Sequence, residues 1–245
     1  MLNPSRPRCR SLPLGRFFFA TLAAVFAFAS NTAFAQVADV ALVVVYDTSG
    51  SMRSPIRTQG GSLEAKHVVA KRAFSAVIDR LERFTKPSAD ASATSPAKRL
   101  DLAIVIFSGS RAQVALPMAP LNGDATRKWL SALATPDSGT PLGDAIAQAG
   151  RILNATPALS KHLLVLTDGE NTTGISPHAA VKALQKPEPS HPTPVFVHVL
   201  ALDISPSVFS ALQKAGATLV GAADEKQLQS QLDFILENQI LVEAP

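Results

Sequence analysis

Thiol chemistry is almost missing from this chain: among 245 residues there is one cysteine, Cys9. Without a pair of cysteines no disulfide framework is possible, so stability must come from buried apolar surface. The chain is long enough to supply it. Dense runs of Lys or Arg are also missing, which argues against a nucleic-acid binder, since such a protein needs a basic field on its folded surface. The five histidines, His67, His162, His178, His191 and His198, show no HExxH or similar zinc spacing. Neither a G-x-S-x-G nucleophile elbow nor a Walker-type phosphate loop occurs. These absences remove the common signatures of a hydrolase or nucleotide enzyme and favour a non-enzymatic protein. No internal repeat is visible.

The first 35 residues read as a secretory leader. Arg6, Arg8, Arg10 and Arg16 make a positive start, Phe17 to Ala29 is a 13-residue apolar core, and Ala33-Phe34-Ala35 offers a small-x-small cleavage site. The core is short for a membrane span, and no second long apolar stretch follows. The expected product starts at Gln36, carries no membrane anchor, and is exported to the periplasm or secreted. Cys9 leaves with the leader. So do its four arginines, and 23 basic residues less four leaves 19 against 19 acidic ones. The whole-chain pI of about 9.4 is therefore largely a property of the leader.

What remains alternates between two patterns. Val40 to Tyr46, Leu100 to Phe107, His162 to Thr167 and Val195 to Leu202 are near-continuous apolar runs, as expected of strands covered on both faces. Between them, Ala70, Phe74, Val77, Leu81 and Phe84 recur at spacings of three and four and form one helical stripe. Helices also fit Asp124 to Leu133 and Asp224 to Asn238. Thr140-Pro141, Ser176-Pro177 and Ser205-Pro206 each present a hydroxyl cap followed by proline at the first helical position. Gln113 to Leu116 reads as a short strand after a Ser108-Gly109-Ser110 turn. The alternation predicts a three-layer, doubly wound α/β domain with a mostly parallel sheet, spanning 36–245 with a core of about 40–236. Residues 86–98 (KPSADASATSPAK) read as a surface loop.

In a sheet of this kind, functional loops gather at the carboxyl ends of the strands. Three candidates lie there. Asp47-Thr48-Ser49-Gly50-Ser51 ends the first strand, Ser138-Gly139-Thr140-Pro141 opens a helix, and Thr167-Asp168-Gly169-Glu170 follows LLVLT. DTSGS alone reads better as an ordinary turn, Thr140 could cap its helix, and Asp168 could simply end a strand. Taken together the loops offer Asp47, Ser49, Ser51, Thr140 and Asp168, an all-oxygen set that suits a hard cation such as Mg2+, with Mn2+ or Ca2+ as alternatives. Glu170 and Asp144 lie nearby in sequence but read as solvated or capping residues. Arg53 and Arg57 read as surface charge.

DTSGSM after an apolar strand, then SGTPLGDA, then LLVLTDGENT, in that order, resemble the von Willebrand factor type A (VWA) domain. The resemblance covers roughly Val40 to Leu236. It implies a Rossmann-like sheet with one antiparallel edge strand, and a metal-ion-dependent adhesion site (MIDAS) in which Asp47, Ser49 and Ser51 are first-loop ligands, Thr140 the second-loop ligand and Asp168 the third. It further implies protein binding, with the cation coordinating an acidic side chain of a partner, and movement of the last helix on binding. The alternative from another class is a metal-assisted hydrolase of a phosphate or ester, in which the cation activates water.

Overall fold

Six consecutive apolar residues, Val40 to Val45, leave the first strand no polar side, so a sheet containing it must be covered on both faces. The computed structural model, which describes residues 37–86, 97–137, 139–186 and 192–242, meets this demand. The expected leader and residues 87–96 of the expected loop lie outside the described residues.

Strand β1 (Ala38–Asp47) runs into a 3₁₀ turn, Gly50–Arg53, and then a small antiparallel hairpin, β2 (Pro55–Arg57) with β3 (Leu63–Ala65). The long helix α1 (Lys66–Thr85) returns the chain to β4 (Leu100–Ser108), which turns directly into β5 (Arg111–Pro120). Helices α2 (Gly123–Ala132) and α3 (Leu142–Ala155) lead to β6 (Ala158–Thr167). Then come α4 (Pro177–Leu184), β7 (Val195–Leu202), a 3₁₀ turn with α5 (Ser210–Lys214), β8 (Thr218–Ala222) and α6 (Glu225–Ile235), which continues as a π-helical turn, Leu236–Ile240.

The main sheet has six strands in the order β5-β4-β1-β6-β7-β8. All its pairings are parallel except that of β5, which lies antiparallel on β4 at the edge. The register of β4 with β5 slips on either side of Ile104, opposite a stretch of β5 that contains Pro117. Odd and even residues of the strands feed opposite layers. Leu42, Val44 and Tyr46 pack with Phe74, Val77 and Leu81 of α1 and Leu228 and Leu232 of α6. Ala41, Val43 and Val45 pack with Ile146 and Ala149 of α3 and Val181 of α4. This is the expected three-layer, doubly wound fold.

Several expectations are revised at the element ends. The edge strand is ten residues long rather than four. The hairpin and β8 were not anticipated; β8 is short and carries Gly221, so its apolar signal is weak. None of the three hydroxyl-proline pairs makes a side-chain cap. At α3 the cap position is Pro141 itself, and the Gly143 amide is taken by Asn171 Oδ1 at 3.1 Å. Ser205 bonds the Ser207 hydroxyl instead of a helix amide. The side-chain caps lie elsewhere: Asn122 accepts from the Ala125 amide at 2.9 Å and Asp224 from the Gln227 amide at 2.8 Å.

Candidate metal centre

Strand order reverses around β1 and β6, since the chain builds outward from β1 to β5 and then returns to the other side of β1. A crevice is required where two such strands diverge, at their carboxyl ends. Asp47 ends β1 and Thr167-Asp168 ends β6, so the fold brings the first and third candidate loops side by side.

Asp47 is fully buried. Its Oδ1 accepts from the Ser49 amide at 2.7 Å, and its Oδ2 from the Thr167 hydroxyl at 2.6 Å. Burial pushes the Asp47 carboxyl up to about 6, against the pull of the Ser49 and Thr167 hydrogen bonds, and the nearby Asp168 charge adds to the rise. A buried carboxylate in this position is short of positive charge.

From Ser49 the oxygens continue as a chain. The Ser49 and Ser51 hydroxyls lie 3.0 Å apart, and Ser51 Oγ donates to Asp168 Oδ1 at 2.7 Å. Ser49, Thr140 and Asp168 are buried with Asp47, whereas Ser51 is exposed. The cluster therefore meets solvent at the 3₁₀ turn that carries Ser51.

Thr140 arrives from the second loop. Its amide donates to the Thr172 hydroxyl at 2.9 Å and its carbonyl accepts from the Thr172 amide at 3.0 Å, so the TDGENTT segment clamps it from both sides. A Cβ placed on Gly169 would lie 3.5 Å from Ser51 Oγ and 3.7 Å from Thr140 Oγ1. The two hydroxyls thus flank one point beside Gly169. Gly139 allows the approach of this loop: its φ is +86°, and a Cβ there would come within 1.9 Å of the Gly109 carbonyl oxygen in the β4–β5 turn.

All five sequence-predicted residues are therefore gathered at one end of the sheet. Glu170 and the two arginines, Arg53 and Arg57, are exposed. Asp144 accepts from the Ile175 amide at 3.3 Å and ties a loop to α3. Sequence reasoning missed three contributors. Thr167 holds Asp47. Lys66, the first residue of α1, places its ammonium 3.0 Å from Asp168 Oδ2 and 3.1 Å from Asp203 Oδ2. The signals were present: Lys66 falls on the apolar stripe of α1, four residues before Ala70, and Asp203 follows β7 as Asp47 ends β1 and Asp168 follows β6.

Five oxygens, two of them from carboxylates and three from hydroxyls, fit a hard divalent cation that completes its shell with water. Among the described residues no group of three or more His, Cys, Asp or Glu gathers in metal-binding geometry, so a cation here would depend on the hydroxyls.

Residues 42–170 match the family model described as the von Willebrand factor type A domain. No curated protein sequence matches the chain. Among solved structures, the PilB minor pilin from Streptococcus sanguinis is similar with a TM-score of 0.63 and 16% identity, over 86% of this chain and 64% of that one. The pilus adhesin SpaC from Lactobacillus rhamnosus GG gives 0.62 and 14%, over 84% of this chain and 31% of that one. A von Willebrand factor type A structure from Catenulispora acidiphila gives 0.57 and 20%, over 80% and 41%. At these identities the likeness is one of fold, and the chain spans less than two thirds of each relative.

Proposed function

The chain belongs to the von Willebrand factor type A domain family, and from that premise we propose that it is an exported, non-enzymatic protein-binding module whose binding depends on a divalent cation. Asp47, Ser49, Ser51, Thr140 and Asp168 would hold the ion, Mg2+ before Mn2+ or Ca2+. When bound, it supplies an open coordination position for an anionic oxygen. A carboxylate of a protein partner would fill that position.

The observation that carries this reading is the run of contacts from buried Asp47 to the Ser49 amide and on through the Ser49 and Ser51 hydroxyls to Asp168, with Thr140 facing it across Gly169. Asp47 and Thr167 anchor the inner end. Ser51 brings the outer end to solvent, and exposed Arg53, whose Nε donates to the Gly50 carbonyl at 3.4 Å, stands beside it as a positive charge on the rim. A rim cation steers an acidic partner toward the centre. The adhesin and pilin folds among the similar structures support an adhesive role of this kind.

Titrating Mg2+ and Mn2+ into chelated protein tests the reading. A ligand that binds the folded state alone raises its melting temperature. Wild type should show the rise, and Asp47→Ala, checked for folding by circular dichroism, should not. A melting temperature indifferent to either ion in wild type would sink the proposal.

A further inference from the structure

A lysine at the first position of a helix needs an explanation, because the positive end of the helix dipole repels it. Lys66 occupies that position in α1, and its amide is tied to the Ser54 carbonyl at 2.9 Å. The side chain is not in solvent: the residue is 6% exposed. Lysines are rarely buried unless paired, and this one is paired twice. Asp168 Oδ2 lies at 3.0 Å and Asp203 Oδ2 at 3.1 Å. Burial pulls the ammonium toward neutrality, but the two carboxylates more than offset it, and Lys66 is held as a cation.

The two oxygens of Asp168 face different ways. Oδ1 takes the Ser51 hydroxyl and belongs to the oxygen chain, while Oδ2 takes the lysine. The Asp168 side chain is fully buried, whereas that of Asp203 is 42% exposed. Asp203 also has a φ of +53°, a conformation that non-glycine residues seldom adopt. Its amide donates to the Ala222 carbonyl at 2.7 Å, which fixes the turn that presents the carboxylate.

We propose that Lys66 is a tethered counter-cation that competes with the divalent ion for Asp168 and, by sharing itself with Asp203, sets how tightly the centre holds that ion. The inference rests on the metal reading of the site. One of the two carboxylates available to the ion is already half neutralised. An incoming ion that uses Asp168 meets a like charge that cannot diffuse away, because the lysine is anchored at the start of α1. Asp203 gives the ammonium a second, more solvated carboxylate and draws it partly off Asp168. Lys66 acts through Asp168 and is a positioning residue, not a ligand.

Calorimetric titration of Mg2+ and of Mn2+ into the chelated protein distinguishes this from a merely structural ion pair. Lys66→Met and Lys66→Gln both remove the charge, and the glutamine keeps a donor for Asp168 should the methionine variant fail to fold. Both should bind the ions about tenfold more tightly, the scale of one unit charge acting on a divalent ion through a partly solvated medium. Lys66→Arg keeps the charge and should bind like wild type. Asp203→Asn commits the ammonium to Asp168 and should weaken binding several-fold. A purely structural lysine would lower the melting temperature in the neutral variants without tightening the ion. Unchanged or weaker binding in a folded neutral variant overturns the inference while leaving the metal centre standing. If neither wild type nor any folded variant binds either ion, the metal reading falls and the inference with it.

Discussion

Thr140 shows how one side chain can be freed for a task. Its sequence setting, a hydroxyl before proline, suits helix capping, yet Pro141 takes the cap position and Asn171 satisfies the Gly143 amide. The backbone of Thr140 is meanwhile held by Thr172. Removing the hydroxyl should therefore leave the fold intact and subtract one neutral donor from the centre. For Thr140→Ala we expect faster release of an acidic partner, by about 1–3 kcal/mol, the range for a lost contact to a charged group. Dissociation rates with and without chelator measure this. Rates equal to wild type in both conditions would place binding on another surface. Lys66 is the opposite case. A residue type that usually marks solvent points inward, and only the pairing of distant strand ends makes its burial tolerable.

At the scale of elements, β6 and β7 carry a buried feature unrelated to the loops. His162 and His198 lie in adjacent strands with ring planes 16° apart and their Nδ1 and Nε2 atoms 3.1 Å apart. Ser160 Oγ sits 2.7 Å from His162 Nε2, and the Gln239 side chain bears on His198. Burial lowers His162 to about 3 and His198 to about 4. As pH falls below about 6.5 the unfolded imidazoles take up protons while the folded ones do not. The unfolded state then binds more protons, so stability should drop between pH 6.5 and 4, by up to about 1.4 kcal/mol per pH unit for each imidazole. Urea melts of wild type and His198→Leu across this window check the sign; the leucine variant should show the shallower slope, and parallel slopes would refute the assignment.

The same strands show what could be read in advance. Continuous Val, Ile and Leu in four runs announced a sheet buried on both faces, because runs of that length bounded by polar turns suit strands covered on both sides. Strand β7 was read to its ends, Val195–Leu202, since polar turns bound it. The hairpin β2–β3 escaped because its strands are only three residues long: β2 buries a single residue, Ile56, between exposed Pro55 and Arg57, and β3 buries none, too little pattern to read in a sequence. The capping expectation failed because a hydroxyl before proline is a local signal, whereas the competing acceptors Asn171 and Thr172 come from a loop about 30 residues away. The five oxygen donors were legible for the converse reason: each lies in a short motif at a strand or helix end. Lys66 and Asp203 carry no motif, and their meeting depends on where α1 starts relative to β7.

For the molecule as a whole, export remains the proposal on which a soluble binding module depends. N-terminal sequencing of the exported protein should begin at Gln36, and recovery of residues 1–35 still attached in a membrane fraction would overturn both the processing and the solubility that the proposal expects. No helix among the described residues is long and apolar enough to cross a membrane. A sheet of this form also has two open borders, and any strand with free amides and carbonyls can recruit a second chain. On one border β5 carries Pro117 and Pro120 and breaks register with β4 near Pro117. Proline has no amide to offer, and an interrupted register presents no straight ladder to copy. On the other, β8 is five residues long. Prolines on one border and a five-residue strand on the other thus leave a second chain little ladder to pair with along the sides of the sheet.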